Sequence, residues 1–455
     1  MAMQSINPAT EAVVATYEAH DDAHVEQVLD RADSAFQAWR RTSLDERADA
    51  LRRVSAVLRA GVPTYGALIT AEMGKTLGEA EGEVEKCATG TDFYAEHGAR
   101  FLADAHVETT AKESYVAFEP LGPILAIMPW NFPFWQLVRH AAPALMAGNV
   151  IVLKHASNVS GCALALEEIF REAGLPEGCV QSLLVDSSRV EPIIADDRIA
   201  AVTLTGSSEA GAKVAAAAGR ALKKTVLELG GSDAFIVLED ADLEKAAEVA
   251  ARARFQNAGQ SCIAAKRFLV AEPVADEFTR LFAAQARAYP VGDPTDRTNK
   301  MGPLARADLR DAIEEQLARS LAAGATVEAG GERPSGTGYY FPPTVVGGVE
   351  AGMAVFDEET FGPVAAVVRV ADADAAVAAA NDSQFGLGGA LWTRDVERAK
   401  QLARRIETGG VFINGMTASN PRLPFGGVKR SGYGRELAEW GIREFVNVQT
   451  VWVEG

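Results

Sequence analysis

The chain has 455 residues, too many for one ordinary hydrophobic core, and about 100–200 residues per domain divides it into several units. Its 48% apolar and 23% charged residues describe a water-soluble globular protein, while a net charge of −18 opposes general affinity for nucleic acid or an anionic membrane. An anionic ligand therefore needs a local basic pocket.

Four cysteines, Cys87, Cys162, Cys179 and Cys262, lie far apart without CxxC or metal-ligand spacing, so a reducing compartment and no metal site are expected. The amino-terminal Met-Ala-Met-Gln-Ser-Ile-Asn-Pro lacks a basic segment followed by an apolar core, which leaves the cytoplasm as the expected location.

The first hundred residues are helical in pattern, with apolar residues every three or four positions in 22–39, 44–59 and 65–94. Glu-Met-Gly-Lys-Thr at 72–76 resembles a phosphate loop only superficially, because the upstream glycine and the preceding strand are missing. Residues 107–118 alternate weakly, as a hairpin or extended arm would. The uncharged stretch 120–138 approaches the length of a membrane span, but Pro123, Pro129 and Pro133 argue instead for a buried strand and a turn.

From Ile124 the period changes. Apolar runs at 124–128, 150–153, 180–185, 201–204 and 225–229 are separated by helical stretches at 162–173, 189–195 and 209–222. Such alternation implies βαβ units and a mostly parallel sheet, with ligands bound at the carboxyl ends of its strands. A second α/β alternation starts near Asp233, with strands at 235–238, 268–270, 364–370, 389–392 and 411–413. Its helices fall at 243–255, 274–288, 307–323, 373–380 and 396–406. The tail, 445–453, alternates valine with polar residues, and an edge strand of that kind needs a partner. With the arm at 107–118 it suggests a small third sheet used between subunits.

The residues that carry chemistry follow the strands. Cys262 closes Phe-Gln-Asn-Ala-Gly-Gln-Ser-Cys between a helix and a strand; a free cysteine is commonly inert packing, but amide and small neighbours suit a reachable thiol. Glu228 ends an apolar strand before Gly230-Gly231, where desolvation raises a carboxyl pKa and makes a general base; a capping or salt-bridged acid is the alternative. Asn131, in a proline-flanked turn, either closes that turn or offers a fixed amide to an oxyanion. Lys154 ends a strand where it can hold ribose or phosphate. Gly206-Ser207 opens a helix whose amides favour a phosphate. Together they fit nucleotide-dependent covalent catalysis.

Five motifs in this order closely resemble the aldehyde dehydrogenase superfamily: Pro-Trp-Asn-Phe-Pro at 129–133, Leu-Glu-Leu-Gly-Gly at 227–231, Gly-Gln-Ser-Cys at 259–262, Glu-Glu-Thr-Phe-Gly-Pro at 358–363 and Pro-Phe-Gly-Gly-Val-Lys-Arg-Ser-Gly at 424–432. The resemblance runs from Asn7-Pro8 to the terminal strand. It implies an α/β subunit with a Rossmann-type cofactor domain at 1–106 and 123–229. It also implies a catalytic domain at 230–432 and a small β oligomerisation sheet from 107–122 and 433–455.

By the same resemblance Cys262 is the nucleophile, Glu228 the general base, and Asn131 with the Cys262 amide the oxyanion hole. Trp130, Lys154, Ser157, Ser207, Glu359 and Phe361 are the cofactor contacts. Many NAD-preferring members carry glutamate three residues after the Lys154 equivalent. Ser157 stands there in this chain, leaving room for a 2′-phosphate, so NADP is the expected cofactor and NAD the lesser one.

The motifs look most like the short bacterial branch of succinate-semialdehyde dehydrogenases. That branch implies a small aldehyde carrying a carboxylate, with Arg139, Trp135, Ser419 and Arg422 as substrate residues, and a homodimer or homotetramer. Two positions depart from the pattern of some relatives. Gln256 stands where they have a second arginine, and Ile263-Ala264 remove their Cys-x-Cys switch. Another small aliphatic or aromatic aldehyde is the nearest alternative substrate, and a thiol esterase or CoA-dependent acyltransferase is the alternative class.

Overall fold

The computed structural model describes residues 2–455, organised by two large sheets, a three-stranded one and two two-stranded ones. Ahead of them lie helices whose ends are set by their caps. Helix Asp22–Trp39 starts at Asp21, which accepts from the His24 amide, and buries Val25, Val28, Leu29, Ala32 and Phe36 along one stripe. Ser43 and Glu46 form a reciprocal capping box for Leu44–Ala60. The continuous helix expected over 65–94 is in fact two, Val62–Met73 and Leu77–Phe101. Gly74, at φ 90°, stops the first, and the Thr76 side chain caps the second. Lys75, between them, pairs with Glu83 at 2.5 Å in the interior, so the sequence that resembles a phosphate loop is a helix junction.

The first large sheet has five parallel strands in the spatial order Val180–Ser182, Val150–His155, Pro123–Met128, Ala201–Thr205, Lys224–Glu228. They are apolar and almost wholly buried because helices cover both faces. Successive strands run outward from Pro123–Met128 and then return to its other side at Ala201–Thr205. The crevice beyond these two carboxyl ends is the topological switch point, where ligands of such sheets bind.

The second sheet holds seven strands in the order Thr326–Ala329, Thr344–Gly347, Val364–Val370, Ala265–Ala271, Asp233–Val237, Gly388–Trp392, Gly410–Ile413. All neighbours are parallel except the first pair. The first two strands, each four residues long, escaped the sequence reading. So did an amino-terminal hairpin, Ala2–Ile6 with Val13–Glu18.

The tail found the partner expected for it. Val446–Val453 pairs antiparallel with Glu113–Pro120, from Val446 opposite Pro120 to Val453 opposite Glu113, and Ala105–His106 adds a third strand. Residues between 433 and 445 behave differently. Tyr433 pairs with Leu227 on the edge of the first sheet, while Leu437 and Ile442 join the first core.

Two hydrophobic cores result. One surrounds the first sheet and the early helices; the other contains Phe235, Phe268, Phe282 and Trp392. Stretch 120–138 is a strand, a turn and the start of helix Trp135–Ala147. Among the described residues no helix is long and apolar enough to cross a membrane.

Candidate active site

Helix Leu243–Phe255 ends against the second core, where Phe255 stacks on Phe282. Asn257, Ala258 and Gly259 then follow with φ of 54°, 52° and 73°, a left-handed run that costs on the order of 1–3 kcal/mol per non-glycine residue. The surroundings hold it. Asn257 donates its side-chain amide to Asn131 O at 2.9 Å and Gln260 O at 3.1 Å, and its backbone N–H to Glu79 at 2.8 Å. Beyond the turn, buried Lys266 donates to the carbonyls of Ser261, Cys262 and Ala264 at 3.2, 3.0 and 3.3 Å. Arg254 fastens the same helix end to Thr360 O at 2.8 Å.

Cys262 therefore rides on an over-determined loop. It is partly exposed and unpaired. Burial pushes its thiol up to about 12, against the pull of Arg139 and Lys266 and with a further push from Glu228 and Glu359. At rest it is a thiol.

Glu228 ends the strand Lys224–Glu228 and is 2% exposed, with no hydrogen-bond partner on either carboxylate oxygen among the described residues. Burial first, and the neighbouring Glu436 second, raise its pKa well above the ordinary carboxylate range, while Arg139 pulls it down. Glu436 is itself buried and ion-paired with Arg139. The Pro-Phe-Gly-Gly motif makes space here, since a Cβ on Gly426 would stand 2.7 Å from Glu228 Oε1. Asn131 is 3% exposed; its Nδ2 donates to Gln260 O at 3.1 Å, two residues before Cys262.

Cys262 faces two cavities. The first, about 300 Å³, is lined by Trp130, Asn131, Thr205, Gly206, Ser207, Glu359 and Phe361 and opens at the switch point. Trp130 meets Phe361 edge-on at 5.7 Å, and Ser207 caps helix Ser208–Arg220. Glu359 accepts from the Gly231 amide at 2.9 Å, an approach only glycines permit, because a Cβ on Gly230 would lie 2.4 Å from Glu359 Oε2. The sequence missed one cation of this groove, Arg306, over the Trp130 ring at 5.6 Å. Lys154 and Ser157 sit outside the groove's lining, at the end of the adjacent strand. Ser157 is exposed, and its hydroxyl makes no hydrogen bond among the described residues. A helix N-terminus, a carboxylate able to accept from ribose hydroxyls and an exposed hydroxyl three residues after a lysine together fit a phosphorylated dinucleotide.

The second cavity, also about 300 Å³, contains Trp135, Gln136, Arg139, Gln256, Ser419 and Phe425 around Cys262. Two cations here were missed by the sequence, Lys86 and Arg252, and among the described residues no acidic side chain lines the cavity. Lys86 donates to Ser419 Oγ at 2.6 Å and lies 4.5 Å from the Trp135 ring centre. Arg422 belongs to neither cavity: it is exposed and stands over Phe93 at 5.7 Å, so its expected role in the substrate pocket is corrected. The turn carrying Asn131 is anchored by Glu83, which accepts from the amides of Phe134 and Trp135 at 2.8 and 2.9 Å. Glu83 and Lys86 lie on helix Leu77–Phe101, which sequence periodicity marks only as amphipathic.

Residues 1–451 match the aldehyde dehydrogenase family model. The chain belongs to the aldehyde dehydrogenase family. It is 51% identical over 453 residues, all of both chains, to a Synechocystis protein named "Probable succinate-semialdehyde dehydrogenase (NADP(+))". It is 50% identical to the Escherichia coli succinate semialdehyde dehydrogenase (NAD(P)+) Sad, over 98% of this chain and 97% of that one. The crystal structure of succinic semialdehyde dehydrogenase from Streptococcus pyogenes with NADP+ as the cofactor superposes with a TM-score of 0.97, at 39% identity and full coverage of both chains. The fold is that of the aldehyde dehydrogenases.

Proposed function

We propose that the protein oxidises succinic semialdehyde to succinate with NADP, as a cytoplasmic homodimer or homotetramer. One observation carries the substrate: in a chain of net charge −18, the cavity at Cys262 is lined by three cations, Lys86, Arg139 and Arg252, and, among the described residues, by no acid. Such a site concentrates an anion and repels nothing the aldehyde brings. Relatives named for this substrate at about half identity support the reading.

In the proposed chemistry Glu228 takes the Cys262 proton. The sulfur then bonds to the aldehyde carbon, and the carbonyl electron pair becomes an alkoxide held by Asn131 Nδ2 and the Cys262 amide. A nicotinamide dinucleotide in the groove supplies the acceptor for the hydride leaving that carbon. Re-formation of the carbonyl leaves a thioester on Cys262. Glu228, relieved of its first proton, takes another from water, whose oxygen attacks the thioester; the carbon–sulfur bond breaks and succinate leaves. Within this scheme the first sheet carries the cofactor, the second positions the nucleophile, and the third joins subunits.

The test is a panel of aldehydes assayed with NADP and NAD in parallel. The proposal expects the highest kcat/KM for succinic semialdehyde with NADP. Equal values for succinic semialdehyde and butanal would defeat the substrate assignment, and a better kcat/KM with NAD would defeat the cofactor assignment.

A further inference from the structure

We propose that Glu79 is a positioning residue for the thiol loop: by holding the Asn257 amide it fixes Cys262 against the Asn131 side chain, with helix Leu77–Phe101 as the common ruler. This rests on the reading of Cys262 as nucleophile and Asn131 as oxyanion donor. The two belong to separate elements, Asn131 to the turn after strand Pro123–Met128 and Cys262 to the loop after helix Leu243–Phe255. Their direct links are few: Asn131 Nδ2 donates to Gln260 O at 3.1 Å, and Asn257 Nδ2 donates to Asn131 O at 2.9 Å. Both are also tied to one helix. Glu83 accepts from the amides of Phe134 and Trp135, and Glu79, four residues earlier, accepts from the Asn257 amide at 2.8 Å. Residues four apart share a helix face, about 5–6 Å between Cβ atoms. One face thus grips the oxyanion turn with one carboxylate and the thiol loop with another.

A purely local role does not account for Glu79. It is the third residue after the cap Thr76, where a carboxylate ordinarily reaches back to the cap. Glu46 does so, accepting from the Ser43 amide and hydroxyl at 2.7 and 2.8 Å. Glu79 divides its oxygens instead: Oε2 accepts from the Thr76 hydroxyl at 3.3 Å, and Oε1 accepts from Asn257, 178 residues away. The neighbouring acids of the helix go to cations, Glu81 to Arg297, Glu83 to Lys75 and Glu85 to Arg59.

Asn257 needs such a hold. At φ 54° it sits in the left-handed region, and its side chain bridges Asn131 O and Gln260 O. With the amide released, the residue relaxes toward ordinary backbone and carries that bridge with it. A misplacement of about 1 Å between reacting groups costs on the order of a hundredfold in rate.

The experiment compares wild type with E79Q, which keeps an acceptor for the amide, E79D, which keeps the charge but withdraws it by one methylene, and E79M, which keeps only the bulk. On succinic semialdehyde and butanal alike, kcat falls by about tenfold to a hundredfold in E79M and by about tenfold in E79D. E79Q stays close to wild type. Aldehyde KM is kept, as is the NADP dissociation constant read from tryptophan fluorescence. Iodoacetamide alkylates Cys262 at the wild-type rate in every variant, because that reaction needs the thiol and no oxyanion donor; the other three cysteines are buried. If E79M does not fold, E79D carries the comparison. Wild-type kcat in E79D overturns the proposal, as does an E79Q enzyme as slow as E79D. Alkylation that slows in step with kcat overturns it too, since the loop as a whole has then come apart. N131A with wild-type kcat overturns the oxyanion reading first, and the role of Glu79 with it.

Discussion

Cys262 is held at rest as a thiol, since burial lifts it to about 12, so catalysis at neutral pH depends on a base that can take its proton. Glu228 is the base proposed for it, one of the two carboxylates, with Glu359, whose charge pushes the thiol up, and a base works only when deprotonated. The Glu228 pKa is raised well above the ordinary range, by burial first and by Glu436 second. Activity is therefore lost as pH falls through that raised value, well before ordinary carboxylates protonate. The kcat/KM profile should show an ascending limb above the usual carboxylate range. In Glu436→Gln the limb moves to lower pH, because a negative neighbour is removed and the Arg139 charge is freed. A limb that stays in place would remove Glu228 from the base role.

Ser157 makes the second prediction at this scale. A carboxylate there meets the cofactor's 2′-phosphate, and like charges brought together cost on the order of several kcal/mol when desolvated. Ser157→Glu should lower the NADP-over-NAD ratio of kcat/KM by about tenfold or more, read from initial rates with each cofactor. A ratio that does not change would place the 2′-phosphate elsewhere.

The residues proposed for catalysis, Asn131, Glu228 and Cys262, stood out in the sequence because each sits in a short, chemically distinctive motif at a strand end or helix boundary. Lys86, Glu83 and Glu436 were not. Their motifs are helix faces or loops, where periodicity separates inside from outside but says nothing about which charged residue turns inward. Arg422 shows the converse error: it stands three residues from Ser419, yet the loop between them points it to solvent over Phe93.

At the scale of elements, the loop from Phe255 to Ala265 is the part whose geometry must not drift. Lys266 ties three of its carbonyls together from within the interior. Replacing it with methionine takes its donors from the Cys262 and Ala264 carbonyls, while Ser261 O keeps the Ala264 amide, a loss of about 1–3 kcal/mol per unsatisfied buried group. Lys266→Met should therefore lower the urea midpoint and reduce kcat on acid and neutral aldehydes alike. Unchanged stability and kcat would show the loop to be held by Asn257 and Arg254 alone. The sequence placed a strand at 268–270 but missed that Lys266 and Arg267, within the longer strand Ala265–Ala271, are buried. Charges inside a strand read as an end of burial, whereas here carbonyl-rich turns satisfy them.

At the scale of the whole molecule, the small sheet is poorly explained by a lone subunit. Val448, Trp452 and Val453 are exposed, Trp440 is 60% exposed, and the strand Val446–Val453 buries little beyond its first residue. A paired but uncovered strand with this composition fits contact with a second copy. Trp452→Asp should yield a smaller species by light scattering, with the secondary structure of the subunit kept. An unaltered mass would move the interface elsewhere. The tail and the arm were legible as a pair because neither could satisfy its alternation alone; the amino-terminal hairpin was not, because its strands are short and exposed.

The central claim is that succinic semialdehyde is oxidised through a thioester on Cys262, and mass spectrometry of acid-quenched enzyme tests it most directly. Glu228→Gln, which slows release of the acyl group, is mixed with succinic semialdehyde and NADP, then digested. A succinyl group on the Cys262 peptide that forms only when NADP is present is the predicted result. NADPH formation without any acyl group on Cys262, or an acyl group on Cys87, Cys162 or Cys179 instead, would contradict it.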